Sequence, residues 1–383
     1  MRQTSPTPAP IAFIDLIAQR RRLGARIDEA LLQVVNSGAY IMGPQVEAFE
    51  KELAAFGQAH RALACANGTD ALLLPLMAWN VGPGDAVFCP SFTFAATAEV
   101  VALRGACPVF VDIDRRTYNM DPAHLEAAIQ AVKAHGQLTP KAIIGVCLFG
   151  QPADYPALRR IADAHGLKLI ADSAQGFGAT IDGRHPIAWA DVATTSFFPA
   201  KPLGCYGDGG AVLVRDDALW QLLDSIRWHG KGEDRYAYAR IGINSRLDTV
   251  QAAILLEKLA IFPDEIDRRN AVAARYSARL QGVAATPGLA AGYRSTWAQY
   301  TIETDNRDDL MARLKDEGIP TAVYYPRPLH TQPAYQTCPR GPGGLPQSEA
   351  AAARVLSLPM HPYLDETVQD RIIEAVCRWA RAD

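Results

Sequence analysis

The sequence predicts an α/β protein with a mostly parallel sheet in its larger first part and a smaller α+β region at its carboxyl end. Two patterns point to this. From about Gln45 to Val214, short apolar runs alternate with segments whose apolar residues recur at helical spacing, the rhythm of strands joined by crossover helices. After Asp248 that rhythm stops and two consecutive helical patterns follow. With 383 residues, 49% of them hydrophobic, the chain can bury a substantial core and exceeds one typical domain.

Candidate strands are Ala86–Cys89, Pro108–Asp112, Ala142–Leu148, Leu167–Ala171, Val192–Phe197 and Ala211–Val214, each flanked by Gly, Pro, Asp or Asn. Between them, Pro122–Ala134 and Pro156–Ala164 read as helices. Thr249–Ala260 and Asp264–Gln281 read as two helices leading into a second domain, which places the domains at 1–250, with an amino-terminal arm, and 251–383. The remainder predicts a strand at Gln299–Thr304, a helix at Asp308–Glu317 ended by Gly318, a strand at Thr321–Tyr325 and a helix after Asp365. The Gly- and Pro-rich stretch Gln336–Gln347 reads as an exposed loop.

The formal net charge is -3, and Lys and Arg are scattered rather than gathered into a stripe, so nucleic acid is not an expected partner. The seven cysteines are widely spaced with no CxxC pair, which suggests neither disulfides nor a zinc site and suits a reducing cytoplasm. Residues 1–10 lack the basic-then-apolar order of a signal peptide, and no apolar run reaches the length of a membrane span.

The most informative stretch for chemistry is TTSFFPAKPLGCYGDGGA, residues 194–211, where one lysine, Lys201, sits among small and aromatic residues just after an apolar strand. Taken alone it could be an ordinary loop lysine. An amine held in an apolar pocket, however, has a depressed pKa and can attack an aldehyde. Upstream, the strand ending in Ala171-Asp172 delivers a carboxylate to its carboxyl end, where α/β sheets hold ligands. Asp172 suits a cationic pyridine nitrogen, although it could instead be the N-cap of a helix following the strand. In Asn67-Gly68-Thr69-Asp70 a predicted helix begins with the small and hydroxyl residues that favour phosphate binding, a short match that is also a common turn. Ser196 could add a hydroxyl to the same phosphate. Of the two phenylalanines in Ser91-Phe92-Thr93-Phe94, Phe94 is expected to stack on a ring and Phe92 to be core.

Several segments in this order resemble the DegT/DnrJ/EryC1/StrS family of sugar aminotransferases: Phe13-Ile14-Asp15-Leu16, Tyr40-Ile41-Met42-Gly43-Pro44, Gly68-Thr69-Asp70-Ala71-Leu72, Thr93-Phe94-Ala95-Ala96-Thr97, Asp172-Ser173-Ala174-Gln175, Ser196-Phe197-Phe198-Pro199-Ala200-Lys201, Gly207-Asp208-Gly209-Gly210 and Gly242-Ile243-Asn244-Ser245-Arg246. The resemblance implies a fold-type I pyridoxal-5′-phosphate (PLP)-dependent transferase with a mostly parallel seven-stranded sheet. It implies that Lys201 forms a Schiff base with PLP and shuttles the proton, and that Asp172 pairs with the ring nitrogen. It assigns Phe94 and Gln175 to the ring, and Gly68, Thr69, Asp70 and Ser196 to the phosphate. Asn244 would reach the cofactor of a neighbouring subunit, which implies a homodimer with shared sites. Within the family, FFPAKPLGCYGDGGA and LSLPMHPYL look closest to aminotransferases that act on UDP-2-acetamido-2-deoxy-3-oxo-glucuronate with glutamate as donor, in bacterial O-antigen synthesis. Gly43, Gln45, Ala200, Arg246, Tyr324 and Tyr325 would then meet the substrate, Arg246 through its planar fork. Those relatives often carry His where Tyr324 stands. His229 and His330 are left out of the site, because a lone histidine is more often packed or on the surface.

Three rivals are weaker. A dehydratase of the same family would carry histidine in place of Lys201. A regulatory protein on this fold would need a partner surface or DNA-binding module that the sequence does not display. A nicotinamide enzyme would need GxGxxG after an early strand, and Gly207-Asp208-Gly209-Gly210 has the wrong spacing and place.

Overall fold

A computed structural model describes residues 10–234 and 236–382. Seven strands form the central sheet: β1 Arg61–Cys65, β2 Asp85–Pro90, β3 Cys107–Val111, β4 Thr139–Val146, β5 Lys168–Asp172, β6 Val192–Ser196 and β7 Gly210–Val214. Their spatial order is β1-β7-β6-β5-β4-β2-β3; every pairing is parallel except those of β7 with β1 and β6. All six strands expected from the sequence are present within a few residues. The seventh, β1, was missed because its residues, RALAC, contain no β-branched side chain and read as helix formers; pairing with β7 overrides that preference.

Successive side chains feed two cores, as a sheet covered on both faces requires. Phe88, Ile143 and Leu169 face one layer; Val87, Ile144 and Ile170 face the other. The second region is built on the pair β8 Tyr300–Glu303 and β9 Val355–Leu358, which run antiparallel, with the helices Arg307–Asp316 and Glu366–Ala382 packed beside them.

Two expectations are corrected. The helices expected on either side of Pro263 are one helix, Thr249–Leu280. Proline in a helix interior costs about 3 kcal/mol, but Phe262 and Ile266 are buried on either side of it, and that packing carries the helix through. The first half of this helix packs with the large sheet and its last turns, Tyr276 and Leu280, with the smaller core. The strand expected at Thr321–Tyr325 is reduced to a single bridge between Ala322 and Ser357. Its alternation of apolar residues serves other ends, since Tyr324 and Tyr325 face the site described next.

Candidate active site

A cavity of about 450 Å³ opens at the carboxyl ends of β5 and β6. The reversed strand β7 explains why distant segments meet there. Its first residue, Gly210, lies opposite both Cys65 of β1 and Ser196 of β6, so the turn after β1 is brought beside the end of β6. The approach is close: a Cβ on Gly210 would lie 2.3 Å from the Asn67 carbonyl oxygen, and one on Gly68 would lie 2.6 Å from Ser196 Cβ. Glycine is required at both positions by space alone.

The helix Gly68–Ala78 starts at this junction, capped by Asn67, whose side chain accepts the Asp70 N–H at 2.8 Å. The first-turn N–H groups of Gly68 and Thr69 have no partner within the helix and lie at the positive end of its dipole. Gly68, Thr69 and Ser196 therefore form a cradle for an anion on the cavity wall. Asp70, expected in the same cradle, gives its amide to Asn67 and lies outside the cavity lining.

Lys201 projects into the cavity from the loop after β6. That loop is fixed at several points: Cys205 N–H donates to Phe197 O at 2.8 Å, Lys201 N–H to Phe198 O at 2.9 Å, and the buried Lys258 ammonium to Gly204 O at 2.6 Å. Burial pulls the Lys201 amine below the ordinary lysine range, and the nearby Asp172 charge partly restores it. Burial conversely lifts Asp172, which is 6% exposed; a hydrogen bond from Ala174 N–H at 3.0 Å and the charge of Lys201 oppose that rise. A turn, not the helix open to Asp172 from sequence, follows the strand; one carboxylate oxygen accepts from that turn, and the residue lines the cavity.

Gln175 is oriented from behind. The Phe149 N–H can only donate, and it donates to Gln175 Oε1 at 2.8 Å, so the amide NH2 faces forward and donates to Tyr325 Oη at 3.0 Å. Tyr324 and Tyr325 close the cavity from the second region; burial raises both phenols. Phe94 lines the opening with its side chain 56% exposed, whereas Phe92 is wholly buried. Ala200 is also in the wall.

Gly43, Gln45, Asn244 and Arg246 are not in this cavity. Gly43 heads the helix Pro44–Phe56 and donates its N–H to Thr249 Oγ1 at 2.9 Å, and its neighbour Ile41 bridges to Asp248. Asn244 is exposed and bridges to Trp228; the Arg246 guanidinium lies over the Trp228 ring, 4.3 Å from its centroid. Gly43 is buried, Gln45 and Arg246 are half-buried and Asn244 is exposed, all outside the cavity lining. His330 is tied between Ser91 Oγ, 2.7 Å away, and Glu349, 3.0 Å away, a packed structural residue.

The sequence reading missed other liners: Ile14, Asn67, Asp208 and Gln299. Ile14 and Asp208 sat in segments quoted for the resemblance, and Asn67 headed the motif read for phosphate. Gln299 offered no signal, because only the docking of its segment onto the Phe149–Gly150 backbone brings it here.

The residues fit pyridoxal phosphate. The Gly68–Ser196 cradle suits its phosphate, Lys201 its aldehyde, and the buried Asp172 a cationic ring nitrogen. Comparison with known proteins agrees. Residues 21–377 match the DegT/DnrJ/EryC1/StrS aminotransferase family. The chain is 51% identical over 358 residues to the UDP-2-acetamido-2-deoxy-3-oxo-D-glucuronate aminotransferase of Pseudomonas aeruginosa, covering 93% of this chain and 96% of that protein. A DegT/DnrJ/EryC1/StrS aminotransferase structure from Brucella abortus superposes with a TM-score of 0.96 at 55% identity, covering 97% of this chain and 99% of that one. NtdA from Bacillus subtilis, solved with bound cofactor PMP, superposes with a TM-score of 0.87 at 29% identity, covering 99% of this chain and 87% of that one. With lysine, carboxylate and phosphate cradle converging on one cavity, the chain belongs to the DegT/DnrJ/EryC1/StrS aminotransferase family and is a pyridoxal-phosphate-dependent aminotransferase.

Proposed function

We propose that this protein moves the amino group of glutamate to C3 of UDP-2-acetamido-2-deoxy-3-oxo-glucuronate. The carrying observation is 51% identity over 93% of the chain to a relative named for that reaction, with a lysine at position 201 facing the cavity. Pyridoxal phosphate, when bound, supplies an aldehyde carbon that takes up amines and a ring that accepts electron density.

The chain's own groups do the rest. Lys201, its amine kept neutral more readily by burial, would hold the cofactor by its aldehyde and would serve as the base and acid that moves the substrate's proton. Asp172 keeps a proton on the ring nitrogen, because a buried carboxylate is stabilised by a cation opposite it. Gly68 and Thr69 amides and the Ser196 hydroxyl hold the phosphate. Phe94 and Gln175, both in the cavity wall, would contact the cofactor's ring or its hydroxyl.

The working form is a homodimer in which Asn244 reaches the partner's phosphate and Gly43, Gln45 and Arg246 meet the partner's sugar substrate. The absence of all four from their own subunit's cavity lining supports this, as do the exposed apolar side chains Tyr40, Ile41, Tyr238 and Ile241 nearby in the chain. Ala200, Tyr324 and Tyr325 meet the sugar within one subunit. A cytoplasmic role in surface-polysaccharide (O-antigen) synthesis follows from this substrate and accords with seven free cysteines. The runner-up is another UDP- or dTDP-linked keto-sugar.

The test is stoichiometric. Purified protein with pyridoxal phosphate, glutamate and the 3-keto-sugar nucleotide should yield 2-oxoglutarate and amino-sugar in equal amounts. Loss of a sugar hydroxyl without amino transfer would reassign it to the dehydratases, and indifference to this sugar with turnover of another would favour the runner-up.

A further inference from the structure

Gln299 stands just before β8, in a segment pinned to the back of the cavity. Gln299 N–H donates to Phe149 O at 3.3 Å, Thr296 N–H donates to Gly150 O at 3.0 Å, and Thr296 Oγ1 donates to Gln175 O at 3.1 Å. The same Phe149 that orients Gln175 thus also anchors Gln299. The Gln299 side chain lines the cavity, yet its Oε1 is buried without a hydrogen-bond partner. Buried acceptors are nearly always satisfied, so an unsatisfied one needs a reason. Among the buried polar atoms found without partners, this is the one belonging to a cavity-lining residue.

We infer that Gln299 is a specificity residue that accepts a hydrogen bond from an O–H or N–H group on the sugar ring of the nucleotide substrate. The choice of sugar over glutamate follows from donor inventory. Glutamate held through its amino group offers two carboxylates, which only accept, so an amide oxygen finds no partner on it. A keto-sugar offers ring hydroxyls and, on the substrate reading above, an acetamido N–H. The inference rests on that reading.

The two halves of a transaminase cycle separate these substrates. Cofactor-loaded wild type, Gln299→Leu and Gln299→Glu are each mixed with glutamate alone, or with the UDP-linked 3-amino sugar product alone, and the change in cofactor absorbance is timed. Calorimetry measures binding of the amino-sugar nucleotide and of UDP. Gln299→Leu, with unchanged thermal stability, should keep the glutamate half-reaction within about twofold and weaken sugar binding and its half-reaction by about 10- to 100-fold. UDP affinity should not move. Gln299→Glu, which keeps an acceptor, should recover most of the loss. Equal losses in both half-reactions, or none in either, would overturn the inference. Wild type inert toward this amino sugar would instead overturn the substrate reading, and with it the pairing of Gln299 to that sugar.

Discussion

The cavity at the strand ends and the group Gly43, Gln45, Asn244 and Arg246 outside its lining differ in what they can meet. The cavity is closed by long-range backbone architecture: the reversed β7 clamps two turns together, and the segment before β8 docks behind it. Its polar groups are either paired with one another, as Gln175 with Tyr325, or turned toward a common centre. The second group is held by bonds of its own, Gly43 to Thr249 across 206 residues of chain and Asn244 to Trp228, and lines no part of that cavity. On the dimer proposed above, the cavity residues act within their own subunit and the second group acts against its partner. Variants in the two should therefore fail differently, the first within a subunit and the second across subunits.

The largest effect belongs to the cavity. Lys201→Ala should lose the yellow colour of cofactor-loaded protein and reduce amino transfer by about 10⁴-fold or more, with the dimer retained on gel filtration. Colour and turnover both surviving would remove Lys201 from its role and dissolve the comparison. Next comes the second group. Asn244→Ala alone should be nearly inactive, but mixing it with Lys201→Ala and allowing subunits to exchange should restore activity. Random exchange makes half the dimers hybrid, each with one intact site, so recovery should approach about one quarter of wild type. No recovery after verified exchange would make the two groups parts of one subunit's site and erase the distinction.

A smaller effect tests the clamp. Gly68→Ala puts a Cβ 2.6 Å from Ser196 Cβ, so one of two backbone segments must move. Cofactor affinity, read by titration of apo protein, should drop by about 10- to 100-fold because displacement of roughly an ångström is felt at that level. Unchanged affinity would mean the cradle is not where phosphate sits.

What could be read from sequence divides along the same line. Strands β2 to β7 were legible because they are continuous apolar runs, and Lys201 and Asp172 because each follows such a run at a strand's carboxyl end. β1 was hidden by alanines, and the unbroken helix through Pro263 by a proline that only tertiary packing tolerates. The segment expected to hold phosphate was legible as a helix start but not in its inner detail: that Asp70 gives its amide to Asn67 is a capping contact no spacing announces. Gln299 was invisible because its neighbours in space, Phe149 and Gln175, are remote in the chain.

The smallest effect sets two neighbours in one turn against each other. Phe92 and Phe94 are two residues apart, yet Phe92 is wholly buried beside Tyr118, Phe149 and Tyr325 while Phe94 is 56% exposed at the cavity opening. Phe92→Ala should act on the fold, lowering unfolding free energy by about 3–5 kcal/mol. Phe94→Leu keeps the volume and gives up only the aromatic face, which for an offset ring pair is worth about 0.5–1.5 kcal/mol. Its expected signature is therefore cofactor affinity weakened by about two- to tenfold, with the melting temperature of the apo protein unmoved. If Phe94→Leu lowered stability and spared the cofactor, its ring would be packing rather than binding, and the cavity's opening would have to be closed by some other face.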